Sequence, residues 1–129
     1  MSMGGRADAP HLPQPAPIDA YGDGGFRFAG MSHRGSLLCL PDGIWAWPVD
    51  DAAHVTEAAL AAVFERAQTL DFFLIGAGRD PWVLPEHLRS RFRDLALPVD
   101  AMPTGAAVRT YNILLAENRR VGAGLVAVA

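Results

Sequence analysis

Phe72-Phe73-Leu74-Ile75 is an apolar run with no polar alternation. A strand with one face in water alternates, so this one reads as buried on both faces. That constrains the fold more than any other feature, because such a strand lies inside a sheet that helices cover. The flanking sequence supplies them. Upstream, Leu60, Val63, Phe64 and Ala67 recur at i, i+3, i+4 and i+7, the period of a helix. Thr56 is placed to cap it, with Val55 and Leu60 at the positions of a hydrophobic staple. Downstream, a second helix starts with Pro85 in its first turn, where the missing N–H costs nothing. Leu88, Phe92 and Leu95 form its buried stripe, and Arg89, Arg91 and Arg93 face mostly outward. Val99–Met102 reads as a short strand. Thr104 is placed to cap a third helix, whose apolar face carries Ala107, Val108, Tyr111, Leu114 and Leu115. Val121–Val128 closes the chain as a strand. The second half thus holds two β-α-β passages, and the first predicts parallel strands joined by a right-handed crossover.

The first third has a different pattern. Phe26-Arg27-Phe28 alternates, Ser36–Leu40 is an apolar run, and Ile44-Trp45-Ala46-Trp47 is a third strand candidate. Tyr21–Gly25, Ser32–Gly35 and Pro41-Asp42-Gly43 have the composition of turns. The sum is an antiparallel meander. Ahead of it, Pro10, Pro13, Pro15 and Pro17 prevent a helix and cannot fill a sheet ladder. Residues 1–17 are expected to form a flexible, proline-rich arm, with order beginning near Ile18. Residues 18–129 are expected to form a single α/β domain with a mixed sheet. Phe72–Ile75 lies near its centre, and Leu60, Phe64, Phe73, Leu74, Ile75, Phe92 and Tyr111 are core.

Composition then excludes function classes. Half of the 129 residues are hydrophobic, and a chain of this size buries roughly two thirds of its unfolded surface. Neither a metal nor an organic cofactor is expected to be needed for folding. The one cysteine, Cys39, rules out an internal disulfide framework and a Cys-rich zinc site. All eleven basic residues are arginines, which excludes a Schiff-base or P-loop lysine. A net charge of -3 argues against broad nucleic-acid binding. No apolar h-region follows the first residues, and no window reaches the roughly 18 apolar residues of a membrane helix. A cytoplasmic protein is expected.

Few residues carry recognisable chemistry. His11, His33, His54 and His87 fall in different elements at no ligand spacing, and read as surface or capping groups rather than metal ligands. Cys39 lies in an apolar strand, where a thiol behaves as a small hydrophobe. Asp50 and Asp51 are adjacent, so they point apart and suit a turn rather than an acid–base pair. Gly76-Ala77-Gly78 matches half of a dinucleotide fingerprint, but Pro81 occupies the third glycine position and interrupts the helix that would hold a pyrophosphate.

One constellation remains. If the Phe72–Ile75 and Val99–Met102 strands are parallel, their following loops emerge at one end of the sheet, the usual ligand position in open α/β sheets. Gly78 and Arg79 lie on the first loop, and the second leads into Thr104 and Gly105 at a helix N-terminus. An arginine beside such an end suits an anion. Arg109 and Asn112, at i and i+3, extend the surface. The alternative is that Thr104 is a plain cap and Arg79 a solvated charge.

Four pieces in order resemble a known family: Tyr21-Gly22-Asp23-Gly24-Gly25-Phe26; Gly35-Ser36-Leu37-Leu38 followed by Pro41-Asp42-Gly43; Leu74-Ile75-Gly76-Ala77-Gly78; and Arg109-Thr110-Tyr111-Asn112-Ile113-Leu114-Leu115. They are similar to a small domain family of unknown function, widespread in bacteria and archaea, whose mitochondrial relative is complex I assembly factor three. The resemblance runs from about Ile18 to Val128. It implies a three-layer α/β domain with a central mixed sheet, no established catalytic motif, and action through protein partners.

Two functions follow as expectations. The first is a non-enzymatic binding or assembly module, with protein partners in a respiratory or other membrane-associated complex. Trp45, Trp47 and Trp82 favour it if exposed, because aromatics anchor interfaces, and otherwise they are core. The second is a ligand or anion binder, or a small enzyme, using the crevice around Arg79.

Overall fold

The structure, a computed structural model, describes residues 9–129. Its strands are β1 (Ile18–Gly22), β2 (Gly25–Phe28), β3 (Met31–Arg34), β4 (Ser36–Leu40), β5 (Gly43–Trp47), β6 (Phe72–Gly76), β7 (Val99–Met102) and β8 (Val121–Leu125). Its helices are α1 (Ala61–Glu65), α2 (Glu86–Asp94) and α3 (Thr104–Ala116). β1, β2 and β3 make a small antiparallel sheet. The other five make a mixed sheet in the order β5-β4-β8-β6-β7. Within it β4 is antiparallel to β5 and β8, while β6 is parallel to β7 and β8.

The run without polar alternation is buried on both sides, as its composition requires. Phe73, Leu74 and Ile75 are all 0% exposed. Phe73 and Ile75 join Leu38, Leu40, Leu60, Val63, Phe64, Leu88 and Phe92 in a core under α1 and α2. Leu74 points the other way, with Leu37 and Cys39, into a core closed by Ala107, Val108 and Tyr111 of α3 and by Ile18, Phe26 and Phe28 of the small sheet. The domain therefore has three layers, with the mixed sheet between them. Each such side chain contributes roughly 1.5–3 kcal/mol by leaving water. All seven residues expected in the core are buried. β8, at the centre of the sheet, carries glycines where large rings cross it. A Cβ on Gly124 would lie 2.6 Å from the Trp47 ring.

Local elements differ from the sequence expectation in five places. The turn expected over Tyr21–Gly25 narrows to Asp23-Gly24, because Tyr21 and Gly22 belong to β1 and pair with Phe26 and Gly25 of β2. Ser32–Gly35 has the composition of a turn, but β3 runs through Met31–Arg34, its register set by pairing Phe26 with His33 and Phe28 with Met31. β4 and β5 leave the meander and join the main sheet, because β4 pairs with β8 on its other side. The Thr56 helix is short. The Thr56 hydroxyl oxygen does accept from the Ala59 N–H at 3.2 Å, but α1 ends at Glu65. Beyond it, the Thr69 hydroxyl donates to the Arg66 carbonyl at 2.7 Å and holds a tighter turn. The last strand stops at Leu125, after which the chain crosses to the small sheet, where the Gly24 N–H donates to the Val128 carbonyl.

Residues 1–8 of the expected arm lie outside the described residues. Residues 9–17 are extended and lie along the domain. The His11 N–H donates to the Ile44 carbonyl at 2.8 Å, and the Ile44 N–H donates back to the Leu12 carbonyl at 2.9 Å. Leu12 and Ala16 pack on the α3-side core. Contact with the domain thus begins ahead of Ile18. The prolines limit this contact to a single bridge rather than a ladder.

Candidate functional site

β6 and β7 are parallel, with Gly76 beside Met102, so the loops that follow them leave the same end of the sheet. Between them opens a crevice of about 700 Å³. Gly78 and Arg79 line one wall, Gly105, Ala106 and Arg109 of α3 another, and Tyr21 of β1 with Asp23 of the β1–β2 turn a third. Gly78, Arg79, Gly105 and Arg109 thus line one crevice.

Thr104 plays a different part from the one its composition suggests. It is wholly buried and is the first residue of α3, and the cap position falls to Pro103, which has no side-chain acceptor. The Thr104 hydroxyl instead accepts from the Gly78 N–H at 2.9 Å and donates to the Val126 carbonyl at 2.7 Å. The Thr104 N–H donates to the Gly78 carbonyl at 2.9 Å. It clasps the β6 exit loop and the end of β8, and is no helix cap. The reason is position: the hydroxyl sits where three chain segments converge, with two backbone partners already in reach.

Asn112 is likewise occupied. Its amide accepts from the Ile18 N–H and donates to the Ile18 carbonyl, both at 2.9 Å. It fastens β1 to α3 and does not extend the crevice surface. The Ala107 N–H donates to the Pro103 carbonyl, so the N–H groups of Gly105 and Ala106 are the unpaired donors of the first turn. Arg79 is exposed, and its guanidinium donates to the Ala129 carbonyl oxygen. Arg109 is exposed at the rim.

Tyr21 was not identified from the sequence as a site residue. A Cβ on Gly105 would come within 2.3 Å of its phenol oxygen, so the ring lies across the first turn of α3. Gly105 is what makes room for it. The signal in the sequence was a tyrosine opening a glycine-rich turn, and only the placement of β1 beside α3 gives it meaning.

The other reactive groups lie elsewhere. Cys39 is fully buried in β4, and burial pushes its thiol up to about 12, against a smaller opposing effect of the Tyr111 hydroxyl. Burial also raises the Tyr111 phenol, whose O–H donates to the Ala16 carbonyl. Trp47 is core, with its indole N–H on the Ala59 carbonyl at 2.9 Å. Trp45 and Trp82 are half-buried against the α1–α2 core, and the Arg66 guanidinium stands 5.2 Å from the Trp45 ring centre. The tryptophans thus pack on or in that core. Tyr21, Val83 and Ile113 are the large apolar side chains that stand exposed among the described residues. His54 pairs with Asp50 at 2.6 Å, and Asp51 accepts from the Ala53 N–H, which makes the expected turn. No helix among the described residues is long and apolar enough to cross a membrane.

A family model described as a protein of unknown function, DUF498/DUF598, matches residues 18–126. An uncharacterised protein of Rhodobacter capsulatus is 41% identical over 110 residues, covering 85% of this chain and 83% of that protein. A crystal structure described as an outer membrane protein from Bartonella henselae has a TM-score of 0.89 at 48% identity, over 92% of this chain and 100% of that one. The NADH dehydrogenase (ubiquinone) 1 alpha subcomplex assembly factor 3 of Drosophila melanogaster is 26% identical over 112 residues, 84% of this chain. The match spans 57% of that assembly factor's length.

Proposed function

The chain belongs to the DUF498/DUF598 family of proteins of unknown function, and from that premise we propose that it is a non-enzymatic binding module that aids assembly of a respiratory or other membrane-associated complex. The observation that carries this reading is the relation to the Drosophila assembly factor, which extends over 84% of this chain. The matched length covers most of the domain that bears the crevice in this chain. The reactive side chains support a binding role. Cys39 is held as a buried thiol, and the Thr104 hydroxyl is engaged by two backbone groups. The crevice offers Arg79, Arg109 and the N–H groups of Gly105 and Ala106 to an acidic side chain of a protein partner. On this reading the chain acts from the cytoplasm, reaching the membrane through its partner.

The test is affinity purification from the native cell, with the wild-type chain and an Arg79→Ala/Arg109→Ala variant side by side. Subunits of a membrane-associated respiratory complex should co-purify with the wild type and be depleted with the variant. Equal recovery of such subunits, or none with either, defeats the reading.

The same four donors favour a second reading, a site for a free anion or small ligand. A charge at an exposed helix end is worth only about 0.3–1 kcal/mol. Occupancy by a lone anion then depends on charge-assisted bonds from Arg79. Phosphate titration followed by amide shifts separates the two. The second reading expects Gly78, Arg79 and Gly105 to move in the wild type and less in Arg79→Ala. It fails if they stay still, or move equally in both.

A further inference from the structure

Two histidines that are distant in sequence meet on the outside of the domain. His11 lies on the extended segment that is bridged to Ile44 of β5. His33 lies on β3, an edge of the small sheet, opposite Phe26. Their ring centres are 4.8 Å apart and their planes are inclined by 49°. A zinc–nitrogen bond of about 2.0–2.1 Å puts a ring centre about 3.2 Å from the ion, so two neighbouring imidazoles on one ion stand about 5 Å apart. The observed spacing falls there.

A second observation concerns the tautomer. Nε2 of His33 stands 3.2 Å from the Ser36 carbonyl oxygen. A carbonyl only accepts, so Nε2 carries the proton and Nδ1 keeps its lone pair. Ligating histidines typically hold their outer N–H on a backbone carbonyl in this manner, which fixes the ring and raises its basicity toward a metal.

We propose that His11 and His33 form a two-histidine site for a divalent transition cation of the zinc, copper and nickel class. Imidazole nitrogen suits these ions. No group of three or more His, Cys, Asp or Glu residues is placed to hold a metal among the described residues, so water fills the remaining positions. The bound ion ties the segment around Leu12 to the small sheet.

The probe is Zn2+ added to the untagged full chain, read by imidazole resonances and by calorimetry. One ion should bind per chain. The His11 and His33 rings should shift together, with His33 in the Nε2–H tautomer, and the melting temperature should rise. His11→Ala and His33→Gln should each weaken binding by at least about tenfold. Both side chains lie outside the core, and each variant's metal-free melting curve checks that it folds. His54→Ala and His87→Ala should bind as the wild type does. The His54–Asp50 pair is the competing pair of donors. If Zn2+ shifts His54 instead, if either single variant binds as tightly as the wild type, or if no saturable binding occurs, the proposal is wrong.

Discussion

Thr104→Val is the substitution that most directly tests how the crevice is built. It keeps shape and removes one hydroxyl. In the wild type that hydroxyl accepts from the Gly78 N–H at 2.9 Å and donates to the Val126 carbonyl at 2.7 Å, with Thr104 0% exposed. The variant leaves both backbone groups without this partner. An unsatisfied buried group costs about 1–3 kcal/mol. The Gly78 end is only partly buried, so water recovers some of its share. The added methyl returns up to about 0.8 kcal/mol. The net loss is about 1.5–3 kcal/mol, which for a domain of this size lowers the melting temperature by roughly 5–15 °C. Urea unfolding gives the free energy and differential scanning calorimetry the temperature. Two companions separate the clasp from a helix cap. Thr104→Ser keeps the hydroxyl and should lose only about 1 kcal/mol with its methyl. Thr104→Asp, a good cap residue, cannot donate to Val126 when ionised and buries a charge, so it should be the worst of the three. If Thr104→Asp is as stable as the wild type, or Thr104→Val changes stability by less than about 0.5 kcal/mol, the clasp is wrong and capping is the residue's role.

Other outcomes follow from the same bonds. Asn112→Ala removes both amide bonds to Ile18 and should cost about 1–2 kcal/mol; faster hydrogen exchange in β1 than in β6 would locate the damage. Cys39 should resist a thiol reagent in the native protein at pH 8 and react on unfolding, because burial pushes its thiol up to about 12; rapid native labelling would contradict its placement. The Asp71 carboxyl is held low, first by the Arg120 backbone N–H and then by the Arg120 side chain. Its folded pKa lies below its unfolded value, so its stabilisation is present above the ordinary value of 3.8 and is lost as pH falls through the folded value. Asp71→Asn should therefore flatten the acid side of a stability–pH profile and leave its neutral side parallel to the wild type.

Burial of Phe73, Leu74 and Ile75, the α/β class and the stripe of Leu88 and Phe92 were legible without any structure. Hydrophobic periodicity reports which faces of an element must leave water, and that information lies within the element itself. The parallel strand ends beside Arg79 followed from the same reading, because crossover rules leave few arrangements. Polar side chains obey no such period. The Thr104 hydroxyl finds partners 26 residues upstream and 22 downstream, and Asn112 finds its own 94 residues away. Each looked like a cap or surface group because its neighbours in sequence are not its neighbours in space. β3 was hidden for the same reason, since turn-forming residues become a strand once β2 supplies a ladder. The approach of Tyr21 to Gly105, and of His11 to His33, likewise appears only when separate elements are docked. Local pattern dictates what must be buried. Which hydrogen-bonding group meets which is set by how the elements dock, because those pairings depend on distances between elements that no local pattern encodes.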